Sequence, residues 1–101
     1  MNQKVRESHV TDSKGNPAGG VTTGTGIVIN WQNEPLGRGA APNGALVEGV
    51  ISAAIGRLQF YQEAAGRKFA CRENALAITK LEEALHWCNH EEREVEGTHQ
   101  A

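Results

Sequence analysis

The spacing of apolar residues after position 43 constrains the fold of this chain more than any other feature. Leu46, Val47, Val50, Ile51, Ala54, Ile55 and Leu58 recur three and four apart, a repeat that gathers side chains on one face of an α-helix. A second run, Cys71, Asn74 or Ala75, Ile78, Leu81, Leu85 and Cys88, alternates the same steps and predicts a helix from about Phe69 to Glu94. Ala64-Ala65-Gly66-Arg67-Lys68 between them reads as a C-cap and tight reversal, so the two helices make an antiparallel hairpin. Asn43 is suited to N-cap the first helix, which runs to about Ala64. Leu76, Ala77, Ala84 and Trp87 widen the apolar stripe beyond what one partner helix covers, which predicts packing against other hairpins. Gly49 and Gly56 lie on one face of the first helix. Each costs about 1 kcal/mol relative to alanine there, which fits close approach of a neighbouring helix or simple tolerance.

The first part of the chain follows a different pattern. Eight of the 12 glycines fall in residues 1–44, whereas four of the five aromatic residues follow residue 59. Residues 5–10 and 21–31 are rich in β-branched side chains, and Asp12-Ser13-Lys14-Gly15-Asn16-Pro17 separates them as a cluster of turn formers. The expected fold class is therefore α+β: a small N-terminal antiparallel β region over residues 1–42, then a long helical hairpin over 43–101, together one compact domain. The tail from Val95 to Ala101 is expected to be frayed or peripheral. With 101 residues the core is limited, and a second subunit is a natural source of further burial.

Charge and cysteine content exclude several classes. Ten Lys and Arg against 12 Asp and Glu give a formal charge of -2, without the general basic field of a DNA or RNA polymer binder, though a local basic pocket for a small anion remains open. No apolar stretch approaches the roughly 20 residues of a membrane span, and no signal-peptide pattern follows Met1. A cytoplasmic location is expected. Cys71 and Cys88, 17 residues apart on one helix, are too distant to bridge and are expected to be reduced and buried.

No enzyme motif emerges. His86 and His90 have the four-residue spacing that chelates a metal from one helix face, but no third ligand is assured and His-Glu-x-x-His is absent. Cys88 belongs to the apolar seam, where a thiol is usually inert. Gly24-Thr25-Gly26 and Gly37-Arg38-Gly39 are too short to specify a phosphate loop. What remains suits a planar anion: aromatic residues Phe60 and Tyr61, an amide at Asn74, and arginines at 38, 57, 67, 72 and 93. Aromatic faces stack on bases, amides pair with base edges, and guanidinium forks match phosphate oxygens.

The run Lys68-Phe69-Ala70-Cys71-Arg72-Glu73-Asn74-Ala75-Leu76-Ala77-Ile78-Thr79-Lys80-Leu81-Glu82-Glu83-Ala84-Leu85-His86-Trp87, followed by Val95-Glu96-Gly97-Thr98, resembles the phage-encoded Thoeris anti-defence protein one family. Thr25 to Asn33, Pro35-Leu36-Gly37 and Pro42-Asn43-Gly44-Ala45 resemble it too, so the likeness spans about residues 9–99. That family shares its helical hairpin with the anti-CBASS protein two family. The resemblance implies a non-enzymatic sponge, needing no cofactor, that holds a cyclic ADP-ribose signal and, in some members, cyclic di- and trinucleotides. It implies a homo-oligomer, dimer or hexamer, in the cytoplasm of the infected bacterium. By resemblance, Phe60 or its neighbour Tyr61 stacks on the adenine, Asn74 supplies the amide of the pocket, Arg38 comes from the glycine-rich loop, and Arg93 contacts base or phosphate.

The chain departs from the family pattern at Asn89-His90, which leads directly into Glu91-Glu92-Arg93-Glu94 where the family carries Arg-Thr and a longer basic segment. The loop between Gly39 and Pro42 is shorter, and the reversal at 64–67 about two residues longer. Two other classes stand beside the sponge: a helical protein-binding module that blocks a host factor, and an enzyme that degrades the signal.

Overall fold

A computed structural model describes residues 4–33 and 42–100, with side chains up to Asn89. The chain divides into two compact units, Met1–Leu46 and Val47–Ala101.

The first unit is a three-stranded antiparallel sheet of β1 (Arg6–Thr11), β2 (Pro17–Gly24) and β3 (Ile27–Asn30), in the order β1-β2-β3. The turn between β1 and β2 is built on Asp12. Its Oδ1 accepts the N–H of Lys14 at 2.8 Å and of Asn16 at 2.9 Å, an Asx arrangement that replaces backbone turn bonds. The Asn16 and Lys14 N–H groups hold the Asp12 carboxyl below the usual aspartate range.

Strand β2 begins at Pro17 rather than Val21, because Gly19 and Gly20 lie within the sheet at φ 94° and 127°. A Cβ on Gly20 would collide with the Ser8 carbonyl oxygen, so only glycine permits this approach to β1. The register slips between His9 and Thr11 beside it.

Trp31 follows β3 and donates from its indole N–H to the Thr22 hydroxyl at 2.7 Å. Thr22 is the buried polar residue of the sheet. Asn43 does not cap a helix: its Oδ1 accepts the Asn33 N–H at 2.8 Å and its amide donates to the Asn33 carbonyl at 2.8 Å. The Gln32 side chain meanwhile accepts the N–H groups of Asn43 and Gly44. Partners of this kind in the sheet unit hold residues 43–44 outside the helical geometry, and the helix begins at Val47.

The second unit holds α1 (Val47–Arg67) and α2 (Arg72–Gln100), packed as a hairpin. This is the α+β arrangement expected, an antiparallel sheet followed by two helices. Regular helix ends before Ala64, whose ψ is 151°. The reversal then runs through Ala65, Gly66 and Arg67 at φ 51°, 64° and 72°, the left-handed region that ends many helices. Helix α2 starts later than expected, at Arg72, and continues past Glu94 to Gln100. No proline interrupts Val95–Gln100, and one glycine costs a helix only about 1 kcal/mol.

Neither cysteine is buried: Cys71 is exposed, Cys88 half-buried, and both are free. Cys71 sits before α2 rather than in its seam. Ile55 is the buried hydrophobic residue among those described, whereas Trp87 is 66% exposed and Leu76 44%, so the broad apolar stripe is open in the single chain. The space a Cβ would enter at Gly49 and Gly56 is likewise open. No helix among the described residues is long and apolar enough to cross a membrane.

Candidate functional site

The helical reversal shapes a hollow of about 510 Å³ lined by Phe60, Tyr61, Ala64, Phe69 and Asn74, within the usual size range of small-molecule sites. Phe60 and Tyr61 occupy the last regular turn of α1. Ala64 leaves the helix there, and the left-handed residues after it turn the chain so that Phe69 returns to the same depression. L-residues in that conformation cost roughly 1–2 kcal/mol each, and Ala65 and Arg67 both adopt it.

The return leg is held from α1 by Gln62. Its Oε1 accepts the Cys71 N–H at 2.9 Å and its Nε2 donates to the Cys71 carbonyl at 3.0 Å. Cys71 in turn acts as an N-cap, its Sγ accepting the Asn74 N–H at 3.4 Å, a weak version of the oxygen caps usual at helix starts. Asn74 is thereby fixed at the first turn of α2. Its own side-chain amide makes no hydrogen bond to the described residues and is left available to an occupant.

The aromatic wall has a defined geometry. The Phe60 and Tyr61 rings lie 6.2 Å apart between centroids, tilted by 56°, and both are substantially exposed. Arg57, one turn earlier, places its guanidinium carbon 4.8 Å from the Phe60 centroid and 5.0 Å from that of Tyr61. Its Nε–H donates to the Tyr61 hydroxyl at 3.2 Å. Across the hollow, the Lys68 ammonium stands 5.7 Å from the Phe69 centroid. The hollow thus offers apolar faces for stacking, one amide for a polar edge, and cations flanking its rings.

Three residues picked from sequence, Phe60, Tyr61 and Asn74, come together here. Arg38 lies outside the described residues. Arg93 is on α2, with its side chain outside them. Sequence reasoning did not single out Phe69 as a wall, nor Gln62 as the clamp. The signal for Phe69 was its place directly after the reversal; Arg57, one of the candidate arginines, stands three and four residues before Phe60 and Tyr61. Among the described residues no cluster of three or more His, Cys, Asp or Glu side chains is arranged to hold a metal ion.

The family model of the Acb2/Tad1 hairpin domain matches residues 24–90, which includes β3, the hollow and most of α2. The chain is also similar to Thoeris anti-defense 1 of Bacillus phage SBSphiJ7, at 48% identity over 77 residues. That alignment covers 71% of this chain and 51% of the phage protein, so the chain spans about half the length of the curated relative it matches. With the reversal, the aromatic hollow and most of the second helix inside the matched span, the chain belongs to the Acb2/Tad1 hairpin-domain family.

Proposed function

We propose that this chain is a phage anti-defence protein that binds a cyclic nucleotide immune signal and keeps it from its effector without cleaving it. The observation that carries this reading is the hollow at the reversal, where two tilted aromatic faces and an unengaged amide meet in one open depression. A purine ring stacks on such faces while the amide reads its edge. The relative's name refers to the Thoeris defence system, which favours a cyclic ADP-ribose isomer as the signal; cyclic di- and trinucleotides share the same base and phosphate chemistry.

Sequestration makes modest chemical demands. Holding the free signal below an effector's threshold requires affinity and copy number, and no transition state needs to be stabilised. The protein acts in the cytoplasm of the infected bacterium, where such a signal is made, and needs no cofactor. Its working form is a homo-oligomer, a dimer or a hexamer, because the open faces at Val47, Leu76 and Trp87 gain burial from further copies. Arg38 and Arg93 supply charge to the phosphates in this reading.

Calorimetric titration with cyclic ADP-ribose isomers and cyclic di- and trinucleotides tests it, followed by heat denaturation and analysis of the released ligand. Submicromolar binding with intact ligand recovered supports the sponge. Recovery of a cleaved product identifies an enzyme. Absence of binding by every nucleotide in a folded sample sinks the reading and favours a protein-binding module, to which the exposed Leu76 and Trp87 face is suited.

A further inference from the structure

The guanidinium of Arg57 lies over two aromatic rings at once, while Arg57 itself is outside the lining of the hollow that those rings face. Its Nε–H bond to the Tyr61 hydroxyl fixes the angle at which it meets them. The ion pairs among the described residues join Glu7 to His9 and Glu83 to Lys80, and no carboxylate pairs with Arg57. Its charge is therefore presented to the rings unneutralised by a neighbour.

An unmodified aromatic face is electron-rich and attracts cations. A cation held over a ring draws π density toward itself and adds a positive potential around it, which weakens that bias at the face left open. Lys68 stands in the same relation to Phe69, so the opposite wall shares this effect. We infer that Arg57 is a positioning and charge-selecting residue of the hollow: wedged against Phe60 and Tyr61, it sets their mutual tilt and makes the wall accept planar anions in preference to planar cations. The ligand class is unchanged from the reading above, an anion bearing an aromatic ring, and the role of Arg57 rests on the hollow being the ligand site proposed there.

The magnitude is bounded by distance and solvent. The charge acts across a ring thickness, at roughly 8 Å from a stacked ligand, and Arg57 is exposed, so salt screens it. At low salt a several-fold preference is expected for an anion over a cation of the same shape. It shrinks as salt rises.

Tyr61 is the one tyrosine of the chain, which gives the wall its own reporter in NMR titrations of the full chain. The probes are naphthalene-2-sulfonate and the matched trimethyl(2-naphthyl)ammonium cation, identical in their ring and opposite in charge. The wild-type hollow is expected to favour the sulfonate. Arg57→Met, which keeps length and removes charge, is expected to lower the sulfonate-to-ammonium affinity ratio several-fold at low salt. Arg57→Lys, which keeps charge and loses the planar fork, is expected to retain most of the ratio while altering the Tyr61 ring shifts. A purely structural role would weaken both probes equally and leave the ratio unchanged.

An unchanged ratio in Arg57→Met overturns the inference, as does a wild-type hollow that takes neither probe or prefers the ammonium. Cyclic ADP-ribose and the cyclic di- and trinucleotides, added to the same samples, separate this result from the sponge reading. If all of these nucleotides fail to bind while the probe preference follows Arg57, the sponge reading falls and the role of Arg57 stands; nucleotide binding with a ratio indifferent to Arg57 gives the reverse.

Discussion

Gln62 grips the backbone of Cys71 at both its donor and its acceptor, with hydrogen bonds of 2.9 and 3.0 Å. One side chain thus spans the gap between the end of α1 and the start of α2. It holds the segment from which Asn74 reaches the hollow.

Gln62→Ala removes both bonds and is expected to lower stability by about 1–2 kcal/mol, since each exposed hydrogen bond contributes roughly 0.5–1.5 kcal/mol. Urea unfolding monitored by circular dichroism checks this, with the midpoint moving and the slope unchanged. Ligand affinity falls along with it, because Cys71 and Asn74 lose their common anchor. A midpoint equal to that of the wild type would show that the clamp does not constrain the hairpin.

Asn74→Ala separates binding from folding. The Asn74 side chain makes no hydrogen bond within the described residues, so its loss leaves the hairpin intact. A ligand whose polar edge it had satisfied would lose about 1–3 kcal/mol of binding. Calorimetry on a variant with wild-type thermal stability reads the difference, and an unaltered dissociation constant takes Asn74 out of the site.

Ala65→Gly is expected to stabilise the protein, by about 1 kcal/mol, although the same change within a helix would weaken it by a similar amount. At φ 51° and ψ 43° an alanine Cβ crowds its own backbone, and glycine relieves this. A lower melting temperature in the variant would contradict the left-handed reversal.

Trp31→Phe removes the donor that satisfies the Thr22 hydroxyl, which is only 5% exposed through its residue. A cost of about 1–3 kcal/mol is expected for the stranded group. The double variant Trp31→Phe with Thr22→Val recovers part of it, and a thermodynamic cycle over the four proteins measures the coupling.

Acid should loosen the turn between β1 and β2. The folded-state pKa of Asp12 is depressed by the Asn16 and Lys14 N–H groups, so its contribution is complete above the ordinary aspartate value of about 3.9 and is lost as pH falls through the lowered folded value. The Lys14 and Asn16 amide resonances are expected to move together in that window. Asp12→Asn should abolish the movement.

The hairpin was legible because its apolar spacing is long and regular from Leu46 to Leu58 and again from Ile78 to Leu85, where burial on one face overrides local detail. The ends were less legible. Asn43 has the side chain of an N-cap but is used by Asn33 and Gln32, partners ten and eleven positions away that local reading does not weigh. Gly19 and Gly20 lie outside the β-branched run that marked the second strand, yet Gly20 permits a close strand approach that β-branched content does not register. Cys71 fitted the three-four repeat, yet as the residue before the helix it faces solvent and lends its sulfur to capping. In the site, Phe60, Tyr61 and Asn74 were visible as chemistry suited to a base. Phe69 and Gln62 depend on the path of the reversal, which side-chain type alone does not encode.

Every described residue lining the hollow falls between Phe60 and Asn74, so this part of the cavity is the product of a single short-range chain closure. Contacts of such low sequence separation form early and quickly, a loop of about ten residues closing in tens of nanoseconds. A hollow of this kind can take shape soon after its segment leaves the ribosome. It can also be reshaped by lengthening or shortening the reversal, with no compensating change required in the strands.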